Sequence, residues 1–309
     1  MPCALLGQMS SATAARGEGL VRPGRLPETI RLMGLEVAAL SESDTIKLIL
    51  GELASGRGGW ICTANLDILR QWRASPQVRE LVSSADLIVA DGMPLIWAGG
   101  LQGTPLPERV AGSTLVHTLT AAAAEADASV FLLGGNPGTA EVAAGKLTER
   151  SPRLRIAGTL CPPFGFETEP EWLHRIERAL HQSAPDIVYV GLGFPKQERL
   201  IVALRSHVPR TWFVSCGVSF SFLAGEVQRA PVLVQRLGLE WLHRMAQEPK
   251  RLYRRYLLHG IPFLVRLLSS ALVVRMSPAG RLERRTRLSH MTAPVEQELF
   301  GQASSGRYP

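Results

Sequence analysis

From Thr29 onward, the chain alternates short apolar runs with longer amphipathic stretches. Apolar runs bounded by turn residues are typical of buried strands, and apolar residues at helical spacing indicate helices. Strands are predicted at residues 60–63, 85–90, 130–133, 156–159, 187–190 and 211–215, with a strand or hairpin at 30–40. Helices are predicted at residues 43–54, 139–150 and 169–182, with another ending near residue 73. This alternation predicts an α/β fold with a Rossmann-like, doubly wound and mainly parallel sheet.

Polar residues that follow the predicted strands indicate where a site would lie, because ligands bind outside the carboxyl ends of parallel strands. Asp91 follows an apolar run and can serve as a general base, although capping the next helix is the alternative. Thr63 and Asn65 offer hydrogen bonds to a sugar or a base, with turn formation as their alternative. Arg109 stands in a loop of glycines and prolines and suits a phosphate, with an ion pair to a nearby acid as its alternative.

Two glycine-rich segments join a strand to a helix and predict anion-binding loops, in which backbone N–H groups approach a ligand closely. The first segment matches neither the GxGxxG nor the Walker A pattern. Its candidate residues are Gly134, Gly135, Asn136 and Gly138. The candidate residues of the second segment are Gly191, Gly193, Lys196, Gln197 and Glu198. A turn with a solvated charge cluster is the alternative for the second loop.

Beyond Arg229 the chain changes character, since arginines alternate with Trp, Tyr and Leu and few acids oppose them. This pattern is typical of a helix at a membrane interface. Residues 257–274 are nearly apolar, but Pro262 and Arg266 interrupt them, which favours a surface-bound or re-entrant segment over a span. We predict a basic, amphipathic, membrane-associating appendage over 229–288; a solvated or domain-packed helix is the alternative. Residues 1–28 and 289–309 are predicted to be disordered.

With 309 residues, the chain can form one large or two modest domains, and the strand and helix pattern places an α/β domain at residues 29–228 before that appendage. The net charge of +7 indicates an acidic partner without identifying it. The four cysteines form neither a CxxC pair nor a metal-ligand spacing, which favours a cytoplasmic location. No Asp-x-Asp pair is present in the sequence, so a carboxylate pair that chelates a nucleotide-bound metal is not in evidence. We expect no cofactor.

Taken in order, these motifs resemble those of the WecG/TagA/CpsF group of bacterial glycosyltransferases, glycosyltransferase family 26. The resemblance extends from about Ile30 to Leu257. The segments that carry it are Thr63-Ala64-Asn65, residues 85–94, residues 103–112, residues 134–138, residues 191–198, residues 222–231, residues 236–241 and Glu248-Pro249.

The resemblance implies transfer of a hexose or N-acetylhexosamine from a UDP-sugar to a polyprenyl-diphosphate-linked saccharide. It implies inversion at the sugar, no metal, and peripheral attachment to the cytoplasmic membrane face. Asp91 matches the family's proposed base, Arg109 its motif arginine, and the other matched substrate positions are Thr63, Asn65 and Gln197. The appendage arginines that the resemblance places near the diphosphate are Arg251, Arg254 and Arg255. Nucleic acid is not an expected partner, and a homo-oligomer that covers the apolar appendage is an alternative to membrane binding.

Two residues depart from the family pattern. Ser215 stands in place of a glycine and Ser221 in place of an aspartate, so we do not carry over the identity of the donor sugar. An NAD-type oxidoreductase would need GxGxxG after the first strand and an acidic residue about 20 positions later, and neither occurs. A non-catalytic membrane- or nucleic-acid-binding protein would use the basic segment but has no use for the polar strand-end motifs.

Overall fold

The structure is a computed structural model that describes residues 27–236 and 238–278, without the side chains of Val232, Arg236 and Arg251. The predicted disorder at residues 1–26 and 289–309, and the appendage residues 279–288, lie outside the described residues. The chain begins with an antiparallel hairpin of β1 (Thr29–Leu32) and β2 (Leu35–Ala38). Met33 and Gly34, which both have positive φ, form its turn, as a two-residue hairpin requires. The segment at residues 30–40, predicted as a strand or a hairpin, is therefore a hairpin.

Six strands form a central sheet, and every pairing between them is parallel. The strands are β3 (Gly59–Ala64), β4 (Leu87–Ala90), β5 (Ser129–Gly134), β6 (Arg155–Leu160), β7 (Ile187–Gly191) and β8 (Trp212–Ser215). Their spatial order is β4-β3-β8-β7-β5-β6. Each predicted strand is present within two residues of its expected ends, and the predicted α/β fold is confirmed.

Helices cover both faces of the sheet. They are α1 (Glu42–Ala54), α2 (Leu66–Ala74), α3 (Pro76–Ser83), α4 (Met93–Gln102), α5 (Gly112–Glu125), α6 (Thr139–Arg150), α7 (Pro170–Ser183), α8 (Lys196–Leu204), α9 (Ser219–Ala224), α10 (Val232–Arg236), α11 (Glu240–Gln247), α12 (Pro249–Tyr253) and α13 (Ile261–Met276). The sequence analysis does not predict helices α3, α5 and α9. A π-helical turn, Arg254–Gly260, connects α12 to α13.

Alternate residues of the buried strands supply two separate cores, as the two-residue repeat of a strand requires. Val188 and Val190 of β7 pack on one face with residues of α2, α3, α4, α7 and α8. Ile187 and Tyr189 pack on the other face with α5 and α6. Both faces of β7 are thus apolar, which explains why its sequence is a continuous apolar run.

The described part of the basic appendage is helical and packs against the α/β domain. Phe263, Leu267 and Ala271, four residues apart on one face of α13, are buried in the core that includes α4. Val265 and Val273 lie on the exposed side, with 60% and 62% of their surface accessible. By length and composition alone, Arg254–Met276 is sufficient to cross a membrane. This helix therefore covers the domain with one apolar side and presents another outward.

Candidate active site

A cavity of about 310 Å³ lies where β3, β4, β7 and β8 end. The strands are parallel, so the residues that follow them converge on one edge of the sheet. All five residues predicted to be catalytic line this cavity: Thr63, Asn65, Asp91, Arg109 and Gln197. Of the residues predicted to bind substrate, Gly193 and Arg255 also line it.

Two sides of the cavity come from different parts of the chain. We call the residues that follow the strands the domain wall; they are Thr63, Asn65, Asp91, Gly193 and Gln197. We call the residues of α11 and the π-helical turn the appendage wall; they are Glu240, Trp241, Arg244, Arg255 and Tyr256. Arg109 projects from the loop before α5 and joins the two walls through an ion pair with Glu240.

Asp91 is held at the end of β4 without capping the helix that follows. Gly92 occupies the N-cap position of α4, and no side chain caps this helix. The Oδ2 atom of Asp91 instead lies 3.4 Å from the backbone N of Gly112, at the start of α5. Burial raises the pKa of Asp91 to about 6, while the positive charge of Arg109 opposes the rise. A carboxylate with this pKa is deprotonated at neutral pH yet basic enough to accept a proton.

Hydrogen bonds to the backbone fix the orientations of Thr63 and Asn65. The hydroxyl of Thr63 donates to the backbone carbonyl of Ser215 over 3.1 Å, which ties β3 to β8. The Oδ1 atom of Asn65 accepts from the backbone N–H groups of Asp67 and Ile68 and caps α2. The turn role considered for Asn65 is therefore correct, and its amide nitrogen remains for the cavity.

Gln197 connects two strand-end loops from within the domain. Its Oε1 atom accepts hydrogen bonds from the backbone N–H groups of Gly193 and Gly217, both over 3.1 Å. Its Nε2 atom donates to Oε1 of Glu198 over 2.8 Å. Glu198 is fully buried and lies outside the residues that line the cavity. Of this neighbouring pair, only Gln197 can meet a ligand directly.

Arginines and acids are interleaved along the appendage wall. The Arg109 guanidinium donates to Glu240 over 2.9 Å, as the ion-pair alternative for Arg109 anticipated, although Glu240 is far away in sequence. Arg255 pairs with Asp67, with 3.1 Å between Nε and Oδ2. Arg244 lines the cavity with no carboxylate within 4.0 Å among the described residues, and its Nε atom is buried without a hydrogen-bond partner. Arg244 is thus available to an anionic ligand.

Several predicted binding residues lie outside the cavity. The first glycine-rich loop follows β5, and the ring of Phe220 lies close to both Gly135 and Gly191. Glu226 accepts hydrogen bonds from the side chains of Asn136 and Thr139. The predicted binding residues of the two glycine-rich loops that lie outside the cavity lining include Gly134, Gly135, Asn136, Gly138 and Gly191. Their role in substrate binding stays a prediction.

Two further cations predicted to bind substrate, Lys196 and Arg254, lie outside the cavity lining. Lys196 forms an ion pair with Glu167 and lies over the ring of Phe164, outside the cavity lining. Arg254 also lies outside the lining, and the side chain of Arg251 is not described. Only Arg255 of the three predicted appendage arginines is seen at the cavity.

Sequence reasoning missed Arg244, Glu240 and Asp67 as cavity residues. Glu240 and Arg244 are four residues apart on α11, so they share one helix face. The signal that could have identified the pair is an acid placed four residues before an arginine in an otherwise basic run. Asp67 carried no such signal, because its partner Arg255 is distant in sequence.

The fold and the cavity offer the groups that a group-transfer enzyme acting on an anionic substrate needs. A carboxylate stands beside arginines at the carboxyl edge of a parallel sheet, which suits deprotonation of one substrate and neutralisation of another. In the described parts of the chain, no group of three or more His, Cys, Asp or Glu residues is placed to hold a metal ion.

Comparison with known proteins identifies the family. The model of the glycosyl transferase WecG/TagA/CpsF family matches residues 30–276. A Bacillus spizizenii protein named N-acetylglucosaminyldiphosphoundecaprenol N-acetyl-beta-D-mannosaminyltransferase is 32% identical over 205 residues, covering 66% of this chain and 77% of that protein. The chain therefore belongs to the WecG/TagA/CpsF family and is a glycosyltransferase. This confirms the resemblance and removes the oxidoreductase and non-catalytic alternatives.

Proposed function

We propose that this glycosyltransferase transfers a hexose or N-acetylhexosamine from a UDP-sugar to a polyprenyl-diphosphate-linked saccharide, with inversion and without a metal. The name of the Bacillus spizizenii relative supports an acceptor that carries N-acetylglucosamine on undecaprenyl diphosphate. The observation that carries the proposal is the position of Asp91, a half-buried carboxylate with a raised pKa beside Arg109 in the cavity.

Asp91 acts in this proposal as the general base. It accepts the proton of the acceptor hydroxyl while the hydroxyl oxygen forms the new bond to the anomeric carbon of the donor. The bond from that carbon to the diphosphate oxygen breaks, so UDP leaves with the electron pair. Attack from the face opposite the leaving group inverts the anomeric centre in a single displacement.

The leaving diphosphate needs positive charge, and the arginines of the cavity supply it. Arg244 has no acidic partner among the described residues, so it is available without breaking an existing pair. Arg109 can exchange Glu240 for a phosphate, because its guanidinium group binds phosphate oxygens in the same bidentate way as carboxylate oxygens. Guanidinium groups bind phosphate oxygens in pairs, which suits a diphosphate better than a single point charge does.

The acceptor reaches this cavity from a membrane surface in the proposed arrangement. The side of α13 that faces away from α4 exposes Val265, Val273 and Met276, while arginines flank the helix. Such a surface suits insertion into the headgroup region with the domain in the cytoplasm. The buried side of α13 packs on the domain, which favours surface attachment over a span.

A donor screen tests the proposed reaction. The purified protein is incubated with UDP-N-acetylmannosamine, UDP-N-acetylglucosamine or UDP-glucose and a short-chain polyprenyl-diphosphate-linked N-acetylglucosamine, with and without EDTA. We expect transfer from at least one donor, unaffected by EDTA, with the anomeric configuration inverted in the product NMR spectrum. A strict metal requirement or retained configuration would overturn that part of the mechanism, and no transfer from any UDP-sugar would overturn the donor class.

Vesicle sedimentation tests the membrane surface. Serine at both Val265 and Val273 should release the protein from vesicles that contain anionic lipids, while buried packing on α4 stays intact. Val142, which is 48% exposed on α6, provides the matched control substitution. Sedimentation that does not change, together with a larger particle in size-exclusion chromatography, would instead favour an oligomer that covers this face.

A further inference from the structure

We propose that Glu198 is a positioning residue, whose buried carboxyl group orients the side-chain amide of Gln197 so that one amide N–H faces the substrate. The effect on catalysis that we predict from this positioning rests on the proposed function. The orientation itself is a property of the folded chain alone.

The side chain of Glu198 lies within the domain, outside the residues that line the cavity. It is fully buried, and its Oε2 atom has no hydrogen-bond partner in the described part of the chain. A buried, incompletely satisfied carboxyl group costs stability, so an apolar residue would suit the fold better. Burial raises the pKa of Glu198 to about 7, while the amide of Gln197 favours the charged form and opposes this rise.

The hydrogen bonds around Gln197 allow only one orientation of its amide. Two backbone donors, Gly193 N and Gly217 N, require the oxygen on their side. The carboxyl oxygen of Glu198 requires the nitrogen on the opposite side. One hydrogen of the amide nitrogen is used by Glu198, and the other remains for a ligand in the cavity that Gln197 lines. Gln197 therefore presents a donor, which selects an acceptor oxygen such as a sugar hydroxyl, an acetyl carbonyl or a phosphate.

Glu198 is itself held next to a residue that departs from the family pattern. The indole N–H of Trp60, a fully buried side chain, donates to the Ser215 hydroxyl over 3.0 Å. That hydroxyl favours the charged form of Glu198. A glycine at position 215 would offer Trp60 no such acceptor. In this chain, Trp60 of β3 thus holds the Ser215 hydroxyl, Ser215 lies next to Glu198, and Glu198 orients Gln197.

Variants at position 198 separate positioning from packing. Glu198→Met fills a similar volume without an acceptor for Gln197, whereas Glu198→Gln retains the acceptor oxygen and places its amide nitrogen where Oε2 has no partner. A role in packing alone predicts that Glu198→Met is stable and fully active. The positioning role predicts a stable protein with a displaced Gln197, and predicts that Glu198→Gln restores the orientation.

Side-chain NMR reads the orientation without any substrate. Glutamine amides are labelled with ¹⁵N, and the Gln197 signal is identified by its absence from Gln197→Ala. In the wild type and in Glu198→Gln, we expect slowly exchanging Gln197 amide protons; in Glu198→Met, we expect fast exchange like that of surface glutamines. Slow exchange in Glu198→Met would overturn the inference, whatever reaction the enzyme catalyses.

A double-mutant cycle reads the catalytic consequence. Glu198→Met should lower kcat/KM about 10- to 100-fold, the effect of losing one well-placed hydrogen bond to substrate, and Glu198→Gln should recover most of it. In a Gln197→Ala background, Glu198→Met should cause no further loss, because Glu198 acts through Gln197. Additive losses would overturn the inference. If the wild type transfers no sugar from any UDP-sugar, the proposed function fails, and the NMR result still decides the positioning role.

Discussion

The two walls of the cavity are held in place by different kinds of bond. On the domain wall, the side chains of Asn65, Asp91 and Gln197 all accept hydrogen bonds from backbone N–H groups. On the appendage wall, Glu240 and Arg255 are held by ion pairs between side chains. Backbone donors keep their positions whether or not a ligand is bound, whereas a side-chain ion pair can exchange its acid for a phosphate. We therefore expect the domain wall to control the chemical step and the appendage wall to control binding of anionic substrate.

The largest effect should follow from Asp91→Asn, which retains the shape of the domain wall and removes its base. We expect kcat to fall about 10²- to 10⁴-fold, the usual contribution of a general base. Thermal stability should not decrease, because burial disfavours the charged carboxylate that the substitution removes. Asp127→Asn is the matched control, since Asp127 is exposed and asparagine tolerates its positive φ. A kcat within a few-fold of wild type would assign the base elsewhere.

On the appendage wall, Arg244→Gln should mainly raise KM for the substrate whose diphosphate it contacts. Loss of one charge-assisted hydrogen bond predicts about a 10- to 100-fold decrease in kcat/KM. Arg153→Gln, on the exposed surface near Glu125, removes the same charge away from the cavity and serves as the control. Equal losses in the two variants would mean that net charge, and not the position of Arg244, determines binding.

The pH dependence tests the domain wall through the pKa of Asp91, which burial raises to about 6. A general base must be deprotonated, so kcat/KM should be retained above this pH and fall about tenfold per unit as the pH decreases below it. Glu198→Gln should keep the same acid limb, because we assign that limb to the titration of Asp91 and not to that of Glu198. An acid limb near pH 4, the ordinary range of aspartate, would contradict a raised pKa.

Glu240 connects the two walls through its ion pair with Arg109, and Glu240→Gln should have a smaller effect than the preceding substitutions. Besides burial, the negative charge of Glu240 raises the pKa of Asp91, and its removal also frees Arg109 to lower that pKa further. The acid limb of kcat/KM should therefore move to lower pH, giving a few-fold advantage over wild type on that limb. A limb that stays in place would show that Glu240 and Asp91 do not interact across the cavity.

The smallest effect is expected from Asn136→Ala, compared with Asn65→Ala. Both asparagines follow a strand, but only Asn65 lines the cavity and caps a helix. Asn65→Ala should lose about 1 kcal/mol of unfolding free energy through the cap, together with activity. Asn136→Ala should change kcat/KM by no more than about twofold, as exposed substitutions usually do. A large loss in Asn136→Ala would support the predicted role of the first glycine-rich loop in substrate binding.

Much of the domain wall could be predicted because its information is local. A strand end followed by Thr, Asn or Asp is visible in the sequence, and parallel pairing places such ends at one edge. The positions of Thr63, Asn65 and Asp91 follow from this rule, whatever the order of the strands. Arg109 and Gln197 were found in the same way, from loops next to glycine and proline.

Only the tertiary structure could distinguish the two glycine-rich loops, which look alike in sequence. The loop after β7 lies next to β8 at the cavity, whereas β5 pairs on the far side of β7 and its loop lies outside the cavity lining. Strand order is a long-range property, so local patterns do not reveal which strand-end loops lie side by side.

The sequence by itself determined the α/β fold, the family and the residues of the domain wall, because strand periodicity and strand-end chemistry are written in neighbouring residues. The tertiary structure alone decided that Glu240 pairs with Arg109, that Arg244 reaches the cavity, and that Glu198 lies behind Gln197. Each of these depends on contacts between distant segments or on which way a side chain points from a helix, and neither is encoded by local spacing.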